Sequence, residues 1–365
     1  MEVIQMKRIL CILFLISTLL ALSACGSPEP QPTESLEPTP APSPVDTEPP
    51  AVDTDPPLTY EFTNPLTGEP TEEDLSKNRP IAIMLNNLKK ALPQCGVSMA
   101  DIIYEVPAEG GITRMLGVFQ SVEGVDYIGS VRSARPYYAA LAQGLDAVFL
   151  HAGGSPDAYT YIKQNGVTAL DCVNGPYEGS LFWRDKDRAK SAGKEHSVFT
   201  SGPVITELFE GYTFRKEHEE GYSYPQTFAG DGTPAGGESA QTVTVSFSDY
   251  KTGVFRYDAG LGAYLVEEYG APYKDGNTGE QVAVTNVLVL QTTTKVLDSE
   301  GRLSVGLDSG SGWFACGGKA VPIRWSKGKG SNPLTYTTED GKDLVLGQGH
   351  SYVNILSSTC SVVFE

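Results

Sequence analysis

The chain has 365 residues, a length typical of two domains, and 40% of its residues are hydrophobic, which is enough to build ordinary cores. Its formal net charge at pH 7 is -18, and the sequence contains no cluster of basic residues that would face a phosphate backbone. We therefore expect no nucleic-acid partner. The same negative charge disfavours loose adsorption to anionic lipid, so any link to a membrane should be covalent or inserted.

The first 25 residues have the pattern of an export signal. Lys7 and Arg8 precede an apolar run at residues 9–22, which has the length of the apolar part of a secretory signal and is too short to span a bilayer comfortably. The sequence LSAC that ends at Cys25 resembles the lipobox of bacterial lipoproteins, in which the cysteine is diacylated and becomes the mature N-terminus. We predict a lipoprotein signal peptide at residues 1–25 and a stable bilayer anchor on Cys25. The alternative is a plain signal peptide with an incidental cysteine.

Residues 26–58 have the composition of a spacer. They contain 11 prolines and seven carboxylates but no Lys or Arg. Such a segment cannot bury enough apolar surface to fold by itself, and its prolines favour an extended chain. At about 3 Å per residue it would hold the following domains up to about 100 Å from the lipid.

Residues 59–228 are predicted to form a mixed α/β domain, because strand-like apolar runs alternate with helical patterns. Ser133 and Ser155 are predicted to cap two helices that each follow a strand, and Pro156 suits the first turn of the second helix. The predicted strands lie at 79–86, 98–106, 112–121, 127–131 and 145–150, and the predicted helices run from Ala134 to Gly144, from Pro156 to Asn165 and from Pro203 to Glu210.

A Gly-rich stretch at 229–240 is predicted to link this domain to a β-rich domain at 241–365. After the stretch the apolar period changes to two, and few helical windows compete with it. The second domain is therefore predicted to be all-β, a barrel or a sandwich. Its strands are predicted at 242–247, 253–257, 264–269, 283–290, 302–305, 313–316, 321–325, 334–337, 343–346, 351–356 and 360–364.

Two helix starts beside basic residues suggest an anion site. Each start should place free backbone N–H groups at the same edge of the predicted sheet. Arg132, Arg135 and His151 lie at these strand-to-helix junctions, and guanidinium groups suit phosphate or carboxylate. The alternatives are structural salt bridges for the two arginines and a hydrogen-bonded structural role for His151.

Asp101, Glu105 and Glu109 are evenly spaced, so on one strand they would share a face. Fully extended, Glu105 and Glu109 would lie about 13 Å apart, whereas glycosidase carboxylates need roughly 5 to 9.5 Å. They are an acid/base couple only if the chain folds back at Pro107. The alternative is that these carboxylates form ion pairs, for which Arg114, Arg132 and Arg135 are the predicted partners.

The remaining candidate chemistry is weak. Ser155 could pair with His151 as a nucleophile, but the sequence lacks the G-x-S-x-G elbow and Ser155 is already predicted to cap a helix. The four histidines show no H-x-x-x-H spacing, so we predict neither a metal site nor a cofactor. The loop at 275–280 has the composition of a calcium loop but the wrong spacing, and is predicted to be a turn.

Four cysteines follow the predicted signal peptide and Cys25. An even number in an exported protein permits disulfides. Their order suggests one pair in each domain, but four buried thiols are an equally good interpretation. The paired residues would be Cys95 with Cys172 and Cys316 with Cys360.

Several motifs resemble the YerB-like bacterial lipoproteins. They are NRPIAIMLNN (78–87), ADIIYEVPAEGGITRMLGVFQ (100–120), IGSVRSARPYY (128–138) and HAGGSP (151–156), followed by TNVLVLQ (285–291), DSEGR (298–302) and PIRWSKG (322–328). The resemblance implies an exported lipoprotein of a family of unknown function, associated with the cell envelope and with partners in wall synthesis, and it brings no catalytic residues. It also marks motif positions at which to look for a site, whereas Cys95 and Cys172 are not part of the pattern. The site positions are Glu105, Glu109, Arg114, Arg132, Arg135 and His151.

The leading hypothesis is a non-catalytic lipoprotein on the outer face of the bacterial cytoplasmic membrane. It would bind an anionic envelope glycan or a wall-synthesis protein through the edge that carries Arg132, Arg135 and His151. The second hypothesis is a hydrolase or transferase acting on an envelope glycan or phosphodiester, with Glu105 or Glu109 working with His151. A third is a structural scaffold whose β-rich domain makes the contacts.

Overall fold

The computed structural model describes residues 60–365, which belong to one compact unit. The predicted signal peptide, the predicted lipidation site Cys25 and the predicted spacer at 26–58 lie outside the described residues. Among the helices at 60–365, none combines the length and the apolarity needed to cross a membrane.

Four α-helices occur in the described residues, all before residue 212. They are α1 (Pro136–Gly144), α2 (Pro156–Gln164), α3 (Lys186–Ser191) and α4 (Gly202–Gly211). Short 3-10 turns lie at Lys89–Ala91, Val97–Met99, Glu109–Gly111 and Lys194–His196.

The predicted caps of α1 and α2 have different outcomes. Ser155 caps α2 as predicted, because its hydroxyl accepts a hydrogen bond from the Ala158 amide at 3.2 Å and Pro156 occupies the first turn. The prediction that Ser133 caps α1 is wrong, since Arg135 is the N-cap residue and Pro136 begins the helix. Pro136 was the better signal, because its fixed φ suits the first turn.

Strands make up most of the regular structure. In the first half they are β1 (Phe62–Thr63), β2 (Pro70–Thr71), β3 (Ile81–Asn86), β4 (Ile102–Pro107), β5 (Thr113–Phe119), β6 (Ile128–Gly129), β7 (Val148–His151), β8 (Ala169–Asp171), β9 (Trp183–Arg184), β10 (Val198–Thr200) and β11 (Thr227–Ala229). In the second half they are β12 (Glu238–Ser239), β13 (Thr242–Ser246), β14 (Thr252–Asp258), β15 (Ala263–Glu268), β16 (Ala271–Pro272), β17 (Ala283–Val284), β18 (Asn286–Thr292), β19 (Thr294–Val296), β20 (Leu303–Val305), β21 (Ser309–Cys316), β22 (Lys319–Ser326), β23 (Thr335–Thr338), β24 (Val345–Gly347), β25 (Ser351–Ser357) and β26 (Ser361–Phe364).

One sheet of 11 strands runs through both halves of the chain. Its order is β12-β22-β21-β18-β25-β4-β5-β3-β7-β8, and β23 also pairs with β22. The join is made by β25, which pairs in parallel with β18 on one side and with β4 on the other. The barrel or sandwich expected within 241–365 therefore does not form by itself, because β18, β21, β22 and β25 extend the sheet of the first half.

A second sheet and two helices cover the two faces of the large sheet. Alternate residues of a strand point to opposite faces. Met84 shares a buried core with Tyr138 of α1, whereas the neighbouring Leu85 shares a core with Phe255 of β14. The second sheet has the order β16-β15-β14-β13-β26, with β17 pairing with β15. The described part of the chain is thus layered as helices, large sheet and smaller sheet.

The stretch predicted as a linker at 229–240 does not separate two cores. Its ends belong to β11 and β12, which pair with β24 and β22 respectively. The 275–280 segment is a turn, and the Asp275 carboxylate accepts hydrogen bonds from the Gly96 and Ser98 amides at 3.2 and 2.8 Å. The two halves are thus tied together by sheet pairing and by buried polar contacts.

The cysteines outside the signal region are free thiols. Cys95, Cys172, Cys316 and Cys360 form no disulfide, so the predicted pairs are wrong; the thiols are free as in the alternative, but only Cys172 and Cys316 are buried. Burial raises the pKa of Cys95, Cys172 and Cys316 to about 11 in each case. These three thiols are therefore protonated and weakly nucleophilic at neutral pH.

Candidate functional site

A cleft of about 530 Å³ lies beside the chain that leads from β6 to α1 and beside the bend between β7 and α2. Arg132 lines it, and two further cations, Arg184 and Lys194, line it as well. Backbone from the glycine bend at 153–154 completes one wall. The lining residues are Val131, Arg132, Ser133, Ala152, Gly153, Gly154, Val173, Asn174, Arg184, Lys194, Glu195 and Val198.

Arg132 is the least neutralised arginine of this region. Its Nη1 donates to the Glu195 carbonyl oxygen at 2.7 Å, while its buried Nε has no partner among the described residues. Burial lowers the pKa of Arg132 to about 10, and the charge of Arg114 adds to the effect. The side chain remains a cation at neutral pH. Its burial disfavours the charged form, and no salt bridge at 60–365 compensates for this.

The carboxylate closest to the cleft is Glu195. One oxygen of the Glu195 carboxylate lies 3.3 Å from Nε2 of His196. This carboxylate therefore contacts His196 and forms no salt bridge with Arg132. Arg184 is partly neutralised, since its Nε donates to Glu178 at 2.9 Å. The cations of the cleft therefore outnumber the acids that line it.

Glu109 neutralises the other two arginines. Its Oε1 accepts from Nε of Arg135, and its Oε2 lies 3.2 Å from Nη2 of Arg114. Burial raises the pKa of Glu109, but the hydrogen bond from Arg135 and the charges of both arginines outweigh it, so the pKa lies below its usual value. This arrangement matches the salt-bridge alternative for Arg135, though not for Arg132, and leaves Glu109 ionised.

His151 ends β7 as expected but does not face an open cavity. It is 1% exposed, and its Nδ1 lies 2.9 Å from the Gly153 carbonyl oxygen, to which it must donate. Burial lowers the pKa of His151 despite the nearby Asp171 carboxylate, so the ring is neutral at pH 7. Asp171 accepts from the Gly153 amide at 2.7 Å, and the pair fixes the glycine bend that forms the cleft wall.

Glu105 lies in a different place, in the interior between the two sheets. Its Oε1 accepts from Asn87 at 2.9 Å and Thr113 at 2.6 Å, and its Oε2 accepts from the Tyr352 hydroxyl at 2.5 Å. Lys251 Nζ lies 3.0 Å from Oε1 and also contacts Glu268. These three ionisable side chains, none more than 2% exposed, are called the buried charge cluster here.

The predicted site residues thus fall into three groups. Arg132 lines the cleft, Arg114 and Arg135 are held by Glu109, and Glu105 belongs to the buried charge cluster, while His151 supports the cleft wall. Glu105 and His151 are both buried, and among the described residues Glu105 shares no hydrogen-bond partner with Glu109 or His151. No group of three or more His, Cys, Asp or Glu side chains at 60–365 is arranged to hold a metal ion.

Sequence reasoning missed Arg184, Lys194, Lys251 and Glu268. Arg184 and Lys194 reach the cleft from segments far along the chain, and their surroundings in the sequence look like ordinary polar loop. Lys251 lies in a turn between two strands, where a lysine is normally exposed. No local pattern marks these residues.

Comparison with known proteins identifies the family of this chain. Two models of one protein family match the chain. The family model of the N-terminal domain, described as "Protein of unknown function (DUF3048)", matches residues 66–215, and that of the C-terminal domain matches residues 243–353. The chain belongs to this family. A relative from Bacillus subtilis (strain 168), named "Putative lipoprotein YerB", is 34% identical over 295 residues, which are 80% of this chain and 85% of the relative.

A solved structure supports the fold. The crystal structure of the YerB protein from Bacillus subtilis matches with a TM-score of 0.72 at 29% identity, covering 82% of this chain and 99% of that chain. The resemblance of the sequence motifs to the YerB-like lipoproteins is therefore confirmed. The family descriptions give no activity, so the function has to be argued from the site.

Proposed function

We propose that this chain is an exported lipoprotein, anchored through acylated Cys25 to the outer face of the cytoplasmic membrane, that binds an anionic component of the cell envelope in the Arg132 cleft. The anchor is supported by the export signal pattern, by the lipobox-like sequence at Cys25 and by the family's relative that is named a lipoprotein. The acidic, Pro-rich segment at 26–58 would give the folded unit reach into the envelope.

The observation that carries the binding proposal is the unneutralised charge of the cleft. In a chain with a net charge of -18, Arg132, Arg184 and Lys194 converge on one cavity that only one acid, Glu195, lines. Arg132 donates one hydrogen bond, to the Glu195 carbonyl oxygen, and forms no salt bridge among the described residues, so its guanidinium group keeps donors for a ligand. A phosphate or carboxylate would supply acceptors for this guanidinium group.

The ligand we favour is a glycan that carries phosphate or carboxylate groups. The cleft has a volume of about 530 Å³, which is sufficient for one phosphate or carboxylate group and the sugar next to it. An acidic side chain of a wall-synthesis protein would present the same chemistry and is an outcome of the test below. A hydrolase or transferase has no comparable support, because Glu105 and His151 are buried and the Arg132 cleft is lined by neither of them nor by Glu109.

The test measures binding of residues 58–365, one compact unit, to soluble wall fragments and to glycerol phosphate oligomers. Arg132→Gln should weaken binding at least tenfold, about 1.4 kcal/mol, because it removes a charge-assisted contact. Raising the salt concentration should weaken the parent more than the variant.

The matched control is Arg256→Gln, which removes the same charge from an exposed arginine on the smaller sheet. It should bind like the parent. Equal binding by the Arg132→Gln variant would refute the cleft as the site. Binding only to ectodomains of wall-synthesis proteins, lost in Arg132→Gln, would keep the site and replace the glycan by a protein carboxylate.

A further inference from the structure

A second cavity, of about 480 Å³, lies on the helix-covered side of the large sheet. It is bounded by α1 and α2 of the first half and, from the second half, by the β19–β20 hairpin and the loop at 327–330. Its wall is mainly aliphatic and aromatic. The lining residues are Pro136, Tyr137, Ala140, Tyr161, Gln164, Asn165, Leu297, Leu303, Ser304, Val305, Leu307, Lys327, Gly328, Lys329 and Gly330.

Lys327 gives this cavity its unusual chemistry. The residue is 3% exposed, and within 60–365 its ammonium donates one hydrogen bond, to the Gly330 carbonyl oxygen at 2.9 Å. An ammonium group has three N–H donors, so two remain for other acceptors. Burial lowers the pKa of Lys327 to about 8, which leaves the side chain mostly charged at neutral pH.

No carboxylate balances this charge. Among the lining residues there is no Asp or Glu, and Lys329 adds a second cation. The salt bridges of the described residues do not include Lys327. A buried cation without a carboxylate partner is rare in proteins, and here it occurs in a strongly acidic chain.

The two tyrosines of the wall offer their rings rather than their hydroxyls. The Tyr137 hydroxyl donates to the Pro107 carbonyl oxygen at 2.8 Å, and the Tyr161 hydroxyl donates to Gln143 at 2.8 Å. With both hydroxyls occupied, the cavity combines apolar surface with the buried Lys327 and, in the same loop, Lys329. At its rim, Leu297 is 49% exposed and extends the apolar surface to the outside.

We propose that this cavity binds an amphiphilic anion, a molecule with a hydrocarbon body and one carboxylate or phosphate head that contacts Lys327. The aliphatic wall takes the hydrocarbon body, and the ammonium takes the head. A purely apolar ligand would leave the charge uncompensated, and a purely polar anion would leave the aliphatic wall in water. The volume lies within the range of small-ligand sites in proteins.

Such an amphiphile could be free in solution or part of a bilayer. The experiment therefore has two arms, both using residues 58–365, which lack the predicted anchor. The first arm titrates dodecyl phosphate below its micelle concentration, with dodecanol and inorganic phosphate as probes that each keep half of the chemistry. The second arm measures binding to phosphatidylglycerol vesicles and to phosphatidylcholine vesicles.

The decisive variant is Lys327→Met, which removes the charge and keeps a side chain of similar length. We expect it to weaken binding of dodecyl phosphate at least tenfold and to leave dodecanol binding unchanged. Ala140→Phe, which fills the cavity without changing charge, should weaken binding of both. Lys319→Met, an exposed lysine on β22 that does not line the cavity, is the matched control and should bind like the parent.

A second readout does not depend on comparing variants. Dodecyl phosphate should protect Lys327, and not Lys319, from acetylation in the parent, as read by mass spectrometry of the peptides. Lys327-dependent binding in the soluble arm, or only to phosphatidylglycerol vesicles, supports the proposal with a free or a bilayer ligand respectively. Binding that Lys327→Met leaves unchanged, or no binding and no protection in either arm, overturns it.

Discussion

Two buried lysines of this chain have opposite surroundings. Lys251 lies between Glu105 and Glu268 in the interior between the sheets, where Tyr352 completes the contacts of Glu105. Lys327 is also buried, at 3% exposed, but it has one carbonyl oxygen as its partner and lines a cavity without acids. We propose that the presence of an internal counterion, rather than burial alone, separates a structural charge from a binding charge.

The arginines show the same contrast. Arg114 and Arg135 share the carboxylate of Glu109, whereas Arg132 forms no salt bridge among the described residues and lines an open cleft. We propose that the neutralised cations stabilise the fold and that the others bind ligand. Substitutions should therefore affect stability at the first kind of residue and binding at the second.

The largest effect on stability is expected for Lys251→Met. Removing this ammonium leaves two carboxylates buried without a cation, which should lower the free energy of unfolding by about 3–5 kcal/mol. Urea unfolding of residues 58–365 measures this directly. Lys327→Met is the matched control and should change the free energy of unfolding by less than about 1 kcal/mol, because the lost ammonium had no counterion.

A triple variant sharpens this prediction. Combining Lys251→Met with Glu105→Gln and Glu268→Gln removes all three charges, so much of the lost stability should return. If Lys251→Met and Lys327→Met had equal effects, the distinction between the two lysines would be wrong.

Glu109→Gln should have an intermediate effect, with a characteristic pH dependence. At pH 7 it should destabilise the protein by about 2 kcal/mol, because charged hydrogen bonds to Arg114 and Arg135 are lost. The pKa of Glu109 is lowered in the folded protein, so its contribution is complete above the unfolded pKa of about 4.3 and is lost as the pH falls through the folded value.

The measurement is urea unfolding of parent and variant at pH 7 and at pH 3. The difference between them should shrink at pH 3, where the parent begins to lose the same contribution. Asp146, whose pKa is also lowered through contacts with His218, Arg215 and Arg79, is present in both proteins and cancels from the comparison. A difference that grew on acidification would contradict the assignment of Glu109 as the ionised partner.

The smallest effect on stability is expected for Arg132→Gln. The variant loses a hydrogen bond to the Glu195 carbonyl oxygen but also loses repulsion from Arg114 and an unsatisfied N–H. These terms oppose each other, so the free energy of unfolding should change by less than about 1 kcal/mol. A loss comparable to that of Glu109→Gln would make Arg132 a structural residue.

Local features of the fold were predictable, whereas its assembly was not. The Ser155 cap, the strand that ends at His151 and the strands after residue 241 follow from capping chemistry and period-two patterns. The insertion of β25 between β18 and β4 depends on pairing between residues about 250 positions apart, and no local pattern specifies such a partner. Strands from both predicted domains therefore lie in one sheet.

The candidate site was predictable only in part, for a related reason. Arg132, Arg135 and His151 were found from their places at strand-to-helix junctions, but orientation decides their roles. Glu109 lies on a 3-10 turn rather than on β4, so the even spacing with Glu105 did not put the two on one face. A sequence pattern also cannot distinguish a buried lysine from an exposed one, since lysines are normally exposed.

The most direct test of the account is a crystal structure of residues 58–365 with dodecyl phosphate. The account predicts phosphate groups within hydrogen-bond distance of Lys327 and of Arg132, with the alkyl chain in the cavity beside Ala140, and no phosphate at Lys251, Arg114 or Arg135. Phosphate groups found only at other surface positions would contradict the claim that the cations without internal counterions are the binding groups.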